Sequence, residues 1–490
     1  MNMYWLIGFL AFSAEPAGGP QSGWPGFMGA GASKVDAKSL PLKWSPNENI
    51  AWQTPLPGAG QSAPILWNDR VYVTCIEGKM KDWCHLVALS LKDGNILWDQ
   101  NFPSSQKVRS NRTQSRAAPT PLADKDGVYA FFETGELVAL DHSGKTLWNQ
   151  SLTKKFGNFE STIGLAASPV QTANAVIVLL DHEGPSCIVS FSKKDGKMLW
   201  KTDRESRSSY ASPALIPFAK GEQIVCSSSG SVDGYDPETG KQLWSFDDVG
   251  GNNVATPYPV GPGRFLVAAQ AGMHNEREKE AKKSNFLMAV TSGADGKPLA
   301  AVEWRSPLLS SFANPIHHNG IVYWMTKVGL VGAYEAQSGR ELYTQRIKDT
   351  CWAAPIGFGD RVYFFGKDGL TTVVKAGPGF KVLAENRLWD ASLSLPARPP
   401  REATEGDRPM HPGAEKDDAK KNSKGGPDST QKDGKVDDAK SGGSPRHGNN
   451  TSDNSGGPVF SDPIQYGIAV TDGTFIVRTG AKVWCIRQPK

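Results

Sequence analysis

The chain of 490 residues carries 52 Gly, 34 Pro and 15 Trp with only 21% charged side chains, a composition that argues for short strands and many turns around an aromatic core and against long helices. Its formal net charge of +4 is small for this length and no basic stripe interleaves with aromatics, which excludes nucleic acid as the expected partner. Length alone leaves the domain count open, because closed all-β folds use several hundred residues as one unit.

The chain opens MNMYWLIGFLAFSAEPAGGP. The apolar run at residues 3–12 is too short to span a bilayer and fits the hydrophobic stretch of an export signal, with Ala11 and Ser13 as small residues before a cut, although no Lys or Arg leads it. Residues 1–17 are read as that signal and 18–48 as an N-terminal extension holding WPGFMG at Trp24; no later segment reaches transmembrane length. The implied destination is periplasmic or extracellular. NIAWQT, residues 49–54, then reads as a strand belonging to no following unit.

From Ser62 onward one pattern recurs every 40 to 58 residues, the interval at which blade repeats live. Its starts are SAP at Ser62, AAP at Ala117, ASP at Ala167, ASP at Ala211, ATP at Ala255, ANP at Ala313 and AAP at Ala353. Each is followed by two runs rich in Val, Ile, Tyr and Phe, such as RVYVTC at Arg70 and ELVALD at Glu136, which is the signature of hairpin-linked strands. A fourth run ends on Trp98, Trp148, Trp200, Trp244 or Trp304, with Tyr343 in the sixth unit and no aromatic in the seventh. Gly94, Gly144, Gly196, Gly240, Gly296, Gly339 and Gly379 precede these runs, where a tight turn needs positive φ. A tryptophan at this place buries a large plane between sheets and its N–H can reach a neighbouring backbone.

An eighth unit, starting at YGIAV (Tyr466), has lost its proline and stops at Lys490 after three strands. The unclaimed strand at 49–54 supplies the missing fourth. The prediction is therefore an all-β fold: an eight-bladed propeller of four-stranded blades, spanning 49–395 and 458–490, closed by the N-terminal strand with Trp52 in the docking position. Residues 396–457, rich in Lys, Asp, Gly, Ser and Pro, are predicted to be a disordered insert, a tolerated loop or a tether. HNEREKEAKKS at His274 is predicted to be a short helix or solvated hairpin tip on the same rim.

The strings YDPETGKQLW (Tyr235) and ALSLKDGNILW (Ala88) resemble the tryptophan-docking repeat of pyrroloquinoline-quinone (PQQ)-like propellers. That superfamily includes quinoprotein dehydrogenases and the outer-membrane assembly lipoproteins of the BamB type. WPGFMG followed by a strand and SAP is similar to the opening of many exported PQQ-like propeller proteins. The resemblance implies fold more than function, since one architecture hosts many activities. The BamB-type relatives are lipid-anchored through an N-terminal cysteine, whereas the first cysteine here is Cys75, so such an anchor is not expected.

For the dehydrogenases the resemblance implies PQQ with calcium and an adjacent cysteine pair. None of Cys75, Cys84, Cys187, Cys226, Cys351 and Cys485 has a cysteine neighbour, so that disulfide cannot form and the cofactor is unsupported by motifs. Cys75 and Cys84 flank a predicted hairpin and are the one pair expected to join; the other four read as small buried hydrophobes. Lys81 stands where a c-type haem motif ending in Cys84–His85 needs its first cysteine. His317 and His318 are adjacent and should point apart, so neither a metal site nor a catalytic residue is assigned.

Propellers work at the channel mouth, where loops entering the innermost strands converge. Gln61, Arg116, Tyr210, Asn253, Phe312 and Trp352 fall there, a mixed polar and aromatic set read either as loop packing or as a ligand site, with RSNRTQSR (109–116) as the first long loop. The leading expectation is a monomeric, non-enzymatic binding or scaffold propeller for a protein or cell-envelope polymer. Its rivals are a PQQ-dependent oxidoreductase and a carbohydrate-binding propeller stacking sugars on Tyr210, Phe312 and Trp352.

Overall fold

In the computed structural model the described residues are 23–31, 35–108, 115–207, 209–251, 253–271, 276–390 and 464–488. The signal reading at 1–17 and the insert at 396–457 lie outside them. The chain divides into a unit formed by Met1–Leu393 with Ser461–Lys490 and a second, Ser394–Phe460; the described residues all belong to the first.

That unit is built from eight antiparallel sheets with strands in chain order from the channel outward. The innermost strands are Ile65–Trp67, Leu122–Ala123, Val170–Gln171, Ala214–Pro217, Tyr258–Gly261, Ile316–His318, Ile356–Phe358 and Ile464–Thr471. Outermost lie Ile96–Pro103, Thr146–Ser151, Met198–Arg204, Gln242–Val249, Pro298–Arg305, Glu341–Arg346, Val382–Arg387 and, for blade eight, Ile50–Pro55. The middle strands are apolar on both faces, as in Ala175–Leu180, where all six residues are buried, because each sheet is sandwiched between two others.

Closure runs through the N-terminal strand. Ile50–Pro55 pairs with Lys482–Arg487, setting Trp52 opposite Cys485 and Gln53 opposite Trp484. Arg478, fully buried on the second strand of blade eight, donates to Ser62 Oγ and the Thr74 carbonyl of blade one, each at 2.5 Å.

The tryptophans lock neighbouring blades in a specific way. The indole N–H of Trp52 donates to Leu91 O, Trp98 to His142 O, Trp148 to Lys193 O, Trp200 to Pro237 O and Trp304 to Ala336 O, always a carbonyl of the next blade. Their rings lie on the next blade's turn glycine, at Gly94, Gly144, Gly196, Gly240 and Gly339, where an added Cβ would meet the indole at 2.3–2.9 Å. The glycine thus provides a flat seat as well as a turn. Trp244 differs: its N–H donates to Gln223 Oε1 in its own blade, its ring stacks on Phe265, and Gly296 has no neighbour of this kind.

The expected Cys75–Cys84 disulfide is absent, and all six cysteines are free. Cys75 faces His85 and Cys84 faces Ile76 across the ladder, so one residue of offset sends the two thiols to opposite faces of the sheet. Cys75 joins the core toward blade eight, Cys84 the core toward blade two. The charged excursion forms a helix, Glu276–Lys283, tied to blade four by Lys283–Asp248 at 3.0 Å.

Candidate functional site at the channel mouth

The recurring small-residue–proline triplet has a structural cause. Its middle residue faces the channel, and a backbone N–H of one blade donates to a side-chain oxygen of the next; in blade two this place is taken by Thr120 of the overlapping PTP at 119–121, two residues after the AAP read from the sequence, so that Ala118 and not Arg116 precedes the triplet and lines the recess. The chain of bonds runs from Ala63 N to Thr120 Oγ1 (2.9 Å), Thr120 N to Ser168 Oγ (3.0 Å), Ser168 N to Ser212 Oγ (2.8 Å), Ser212 N to Thr256 Oγ1 (3.0 Å) and Thr256 N to Asn314 Oδ1 (3.4 Å). Small side chains let the blades approach, hydroxyls satisfy the buried N–H groups, and proline contributes none that needs a partner. Ala354 and Gly467 leave the series open at blades seven and eight.

One end of this channel is filled. Residues 23 and 24 add a fifth strand inside blade one, pairing Gly23 with Trp67 and Trp24 with Leu66. Part of the predicted extension is therefore built into the ring rather than lying outside it. The other end is the mouth, and there Tyr210, Phe312 and Trp352 share a recess whose floor is Phe27. Phe312 and Trp352 pack at 4.7 Å between centroids with their planes tilted by 53°. Lys327 Nζ lies 5.6 Å above the Phe312 ring, and burial lowers its pKa from the ordinary lysine value.

Gln61 and Arg116 sit together on the blade-one and blade-two side, Gln61 N donating to Arg116 O at 2.9 Å and Arg116 N to Gln61 Oε1 at 3.0 Å. Asn253 is one place out of register. The residue before the triplet in blade five is Val254, which lines the recess, whereas the Asn253 carbonyl accepts the Tyr210 N–H at 3.1 Å and its amide is buried without a hydrogen-bond partner among the described residues. Sequence reading also passed over Phe27 and Lys327. Counting back from each proline would have found Val254.

Two buried acids hold the loops that carry these residues. Glu133 accepts the Ala117 N–H through both carboxylate oxygens at 2.9 and 3.0 Å and pairs with Lys81 at 3.2 Å, while Lys81 Nζ donates to Ser115 O at 2.6 Å. Asp349 accepts Thr350 N–H at 2.7 Å and Asp368 N–H at 3.0 Å, fixing the approach to Trp352. Burial, reinforced by the Asp368 charge, raises the Asp349 pKa against the pull of these two donors.

A carboxyl raised in the fold costs stability once pH passes its ordinary pKa of about 3.9, and the cost disappears in acid where both folded and unfolded chains are protonated. Asp349→Asn also weakens one acceptor, an offset independent of pH. Its unfolding temperature relative to the parent should therefore improve as pH rises from about 4 to about 8. A difference that moves the other way in a calorimetric series would show that Asp349 is stabilised as the carboxylate.

His317 and His318 alternate along Ile316–His318 and so take opposite faces of the sheet, with His318 Nε2 2.9 Å from Gly359 O. No group of three His, Cys, Asp or Glu able to share a metal exists among the described residues. No two cysteines are adjacent in the chain either. Among the described residues no helix is long and apolar enough to cross a membrane.

The profile of a family described as outer membrane protein assembly factor BamB matches residues 43–187, 161–257 and 287–488. The BamB of Burkholderia pseudomallei (strain K96243) is 24% identical over 222 residues, covering 44% of this chain and 52% of that protein. The chain thus spans about half the length of that curated relative. Among solved structures, BamB from Moraxella catarrhalis is similar at 15% identity and TM-score 0.47 over 68% of this chain and 89% of its own. Quinohemoprotein alcohol dehydrogenase from Comamonas testosteroni is similar at 14% identity and TM-score 0.40, over 72% and 76%. Matched by the profile over most of its length and folded as eight antiparallel sheets, five of them docked on the next through a tryptophan, the chain belongs to the BamB-like family of PQQ-type β-propellers.

Proposed function

We propose that the protein is an exported binding scaffold of the cell envelope that holds a protein partner against its mouth face. The observation that carries this reading is the clustering of Tyr210, Phe312 and Trp352, from three different blades, around the chain's own Phe27 where the loops enter the innermost strands. Around it the loops of the same face expose Met80, Trp83, Ile163 and Val328, large apolar side chains of the kind that anchor protein interfaces. Assembly of outer-membrane proteins, named in the family's description, is a process in which such a scaffold serves.

A photo-cross-linking amino acid at Val328, on the mouth face, is expected to give a discrete adduct with an envelope protein in cells. The same group at Lys241, an exposed turn at the opposite face, is expected to give none. Trp352→Ala should weaken the Val328 adduct several-fold. Adducts from Lys241 alone, or adducts removed by glycan hydrolysis and not by protease, would overturn the reading.

A further inference from the structure

The segment in the channel is recognised there as a ligand is. Residues 23–31, GWPGFMGAG, match no repeat, yet Trp24 and Met28 are each only 2% exposed. The short helix Met28–Gly31 contacts the innermost strands of blade four and blade eight, which face each other across an eight-membered ring. The segment therefore crosses the axis instead of lying along one wall.

Each position is read by something different. Gly23 and Trp24 pair with Trp67 and Leu66 by strand addition, a common mode of peptide capture. Pro25 O accepts the Ala123 N–H of blade two at 2.9 Å. A Cβ at Gly26 would lie 2.9 Å from Leu122 Cδ2, so any side chain there requires the Leu122 side chain to move. The Gly29 N–H closes a tight turn onto Gly26 O at 3.0 Å. Gly29 itself has φ +60°, and a Cβ there would enter the Trp24 ring at 2.7 Å. Phe27 forms the tip, within 3.8 Å of where a Cβ on Gly467 would stand.

We infer that the channel is a binding site for a tight aromatic–Pro–Gly–aromatic turn, and that the chain fills this site with its own residues 23–31. Strand pairing, a carbonyl contact, a glycine-only position at Gly29 and a crowded one at Gly26 form a set of steric and polar tests that a generic apolar plug would not need to pass. Eight residues separate the segment from Leu40 and twelve from Trp44, both buried in the core of blades seven, eight and one. Such a short tether gives a high effective concentration, so the site is held occupied without exceptional intrinsic affinity. The inference is independent of what the mouth face binds.

A full-length chain with a protease site flanked by Gly/Ser spacers at residues 32–34 provides the test. After cleavage, verified complete by mass spectrometry, the N-terminal fragment is expected to co-elute with the ring on gel filtration. A labelled peptide of residues 21–31 should then exchange with it saturably. The same peptide carrying Gly26→Val should compete at least tenfold more weakly, and one carrying Gly29→Val likewise. If the fragment separates at once from a ring that stays folded, or if the valine peptides compete as well as the native one, the channel is not a sequence-reading site and the inference fails.

Discussion

Arg204→Met is expected to destabilise the ring by about 3–5 kcal/mol, the range for removing one partner of a buried ion pair. Arg204 ends the outer strand of blade three with its side chain 1% exposed. Its guanidinium reaches Asp181 at 2.8 and 3.2 Å, Asp233 of blade four at 3.1 Å, Ser228 at 3.0 Å and the Tyr235 hydroxyl. Ser228 also donates to Asp181 at 2.5 Å and Ser231 to Asp233 at 2.7 Å. Methionine would fill much of the volume but leave two buried carboxylates facing each other without their cation.

The loss should show as a lower urea midpoint. Combining Arg204→Met with Asp181→Ala should cost less than the sum of the single changes, by on the order of 1–3 kcal/mol, because the second change removes a charge that the first stranded. A single variant within about 0.5 kcal/mol of the parent would place it with ordinary surface substitutions and remove the staple from the account.

The ring was legible because its evidence is repetitive. Two apolar runs, a turn glycine and a tryptophan recur with enough regularity that eight units and an unpaired first strand follow from counting. What repetition does not encode was missed. Trp244 looks like its siblings, but no seat is offered at Gly296, which has no neighbour within reach of an added Cβ. Cys75 and Cys84 flank a hairpin, and only the ladder register, invisible in the spacing alone, shows that they diverge. Asn253 was placed by its position before the blade-five start, while the recess is lined by its apolar neighbour Val254. Loops have no hydrophobic period to correct such an offset. The Arg204 staple joins residues from three strands and one loop in two blades, and the channel segment is shorter than one period of any pattern. Long-range contacts of this kind emerge only once the chain is folded.

Trp52→Ala tests closure itself, and its effect should be both large and local. Trp52 is 9% exposed, seated on Gly94, bonded to Leu91 O at 3.2 Å and flanked by Thr54 Oγ1 donating to Gly94 O at 2.7 Å. Truncating a buried tryptophan costs about 3–5 kcal/mol. The same change at Trp148, which is 8% exposed and seated on Gly196, removes comparable area. The two sites differ in connectivity. Blades two and three are continuous in the chain, whereas blade eight is assembled from Ile50–Pro55 and three C-terminal strands with no covalent link across the seam. Weakening the seam therefore opens a sub-global unfolding route unavailable at Trp148, in which the N-terminal strand leaves and exposes the edge at Lys482–Arg487. Hydrogen exchange should show lost protection in Ile50–Pro55, Thr474–Thr479 and Lys482–Arg487 for Trp52→Ala, well before the rest of the ring. For Trp148→Ala protection should fall without singling out those strands. Equal, uniform loss in both variants would mean that the seam is no weaker than a covalent junction, and that Arg478 with the channel segment holds the ring shut without the N-terminal tryptophan.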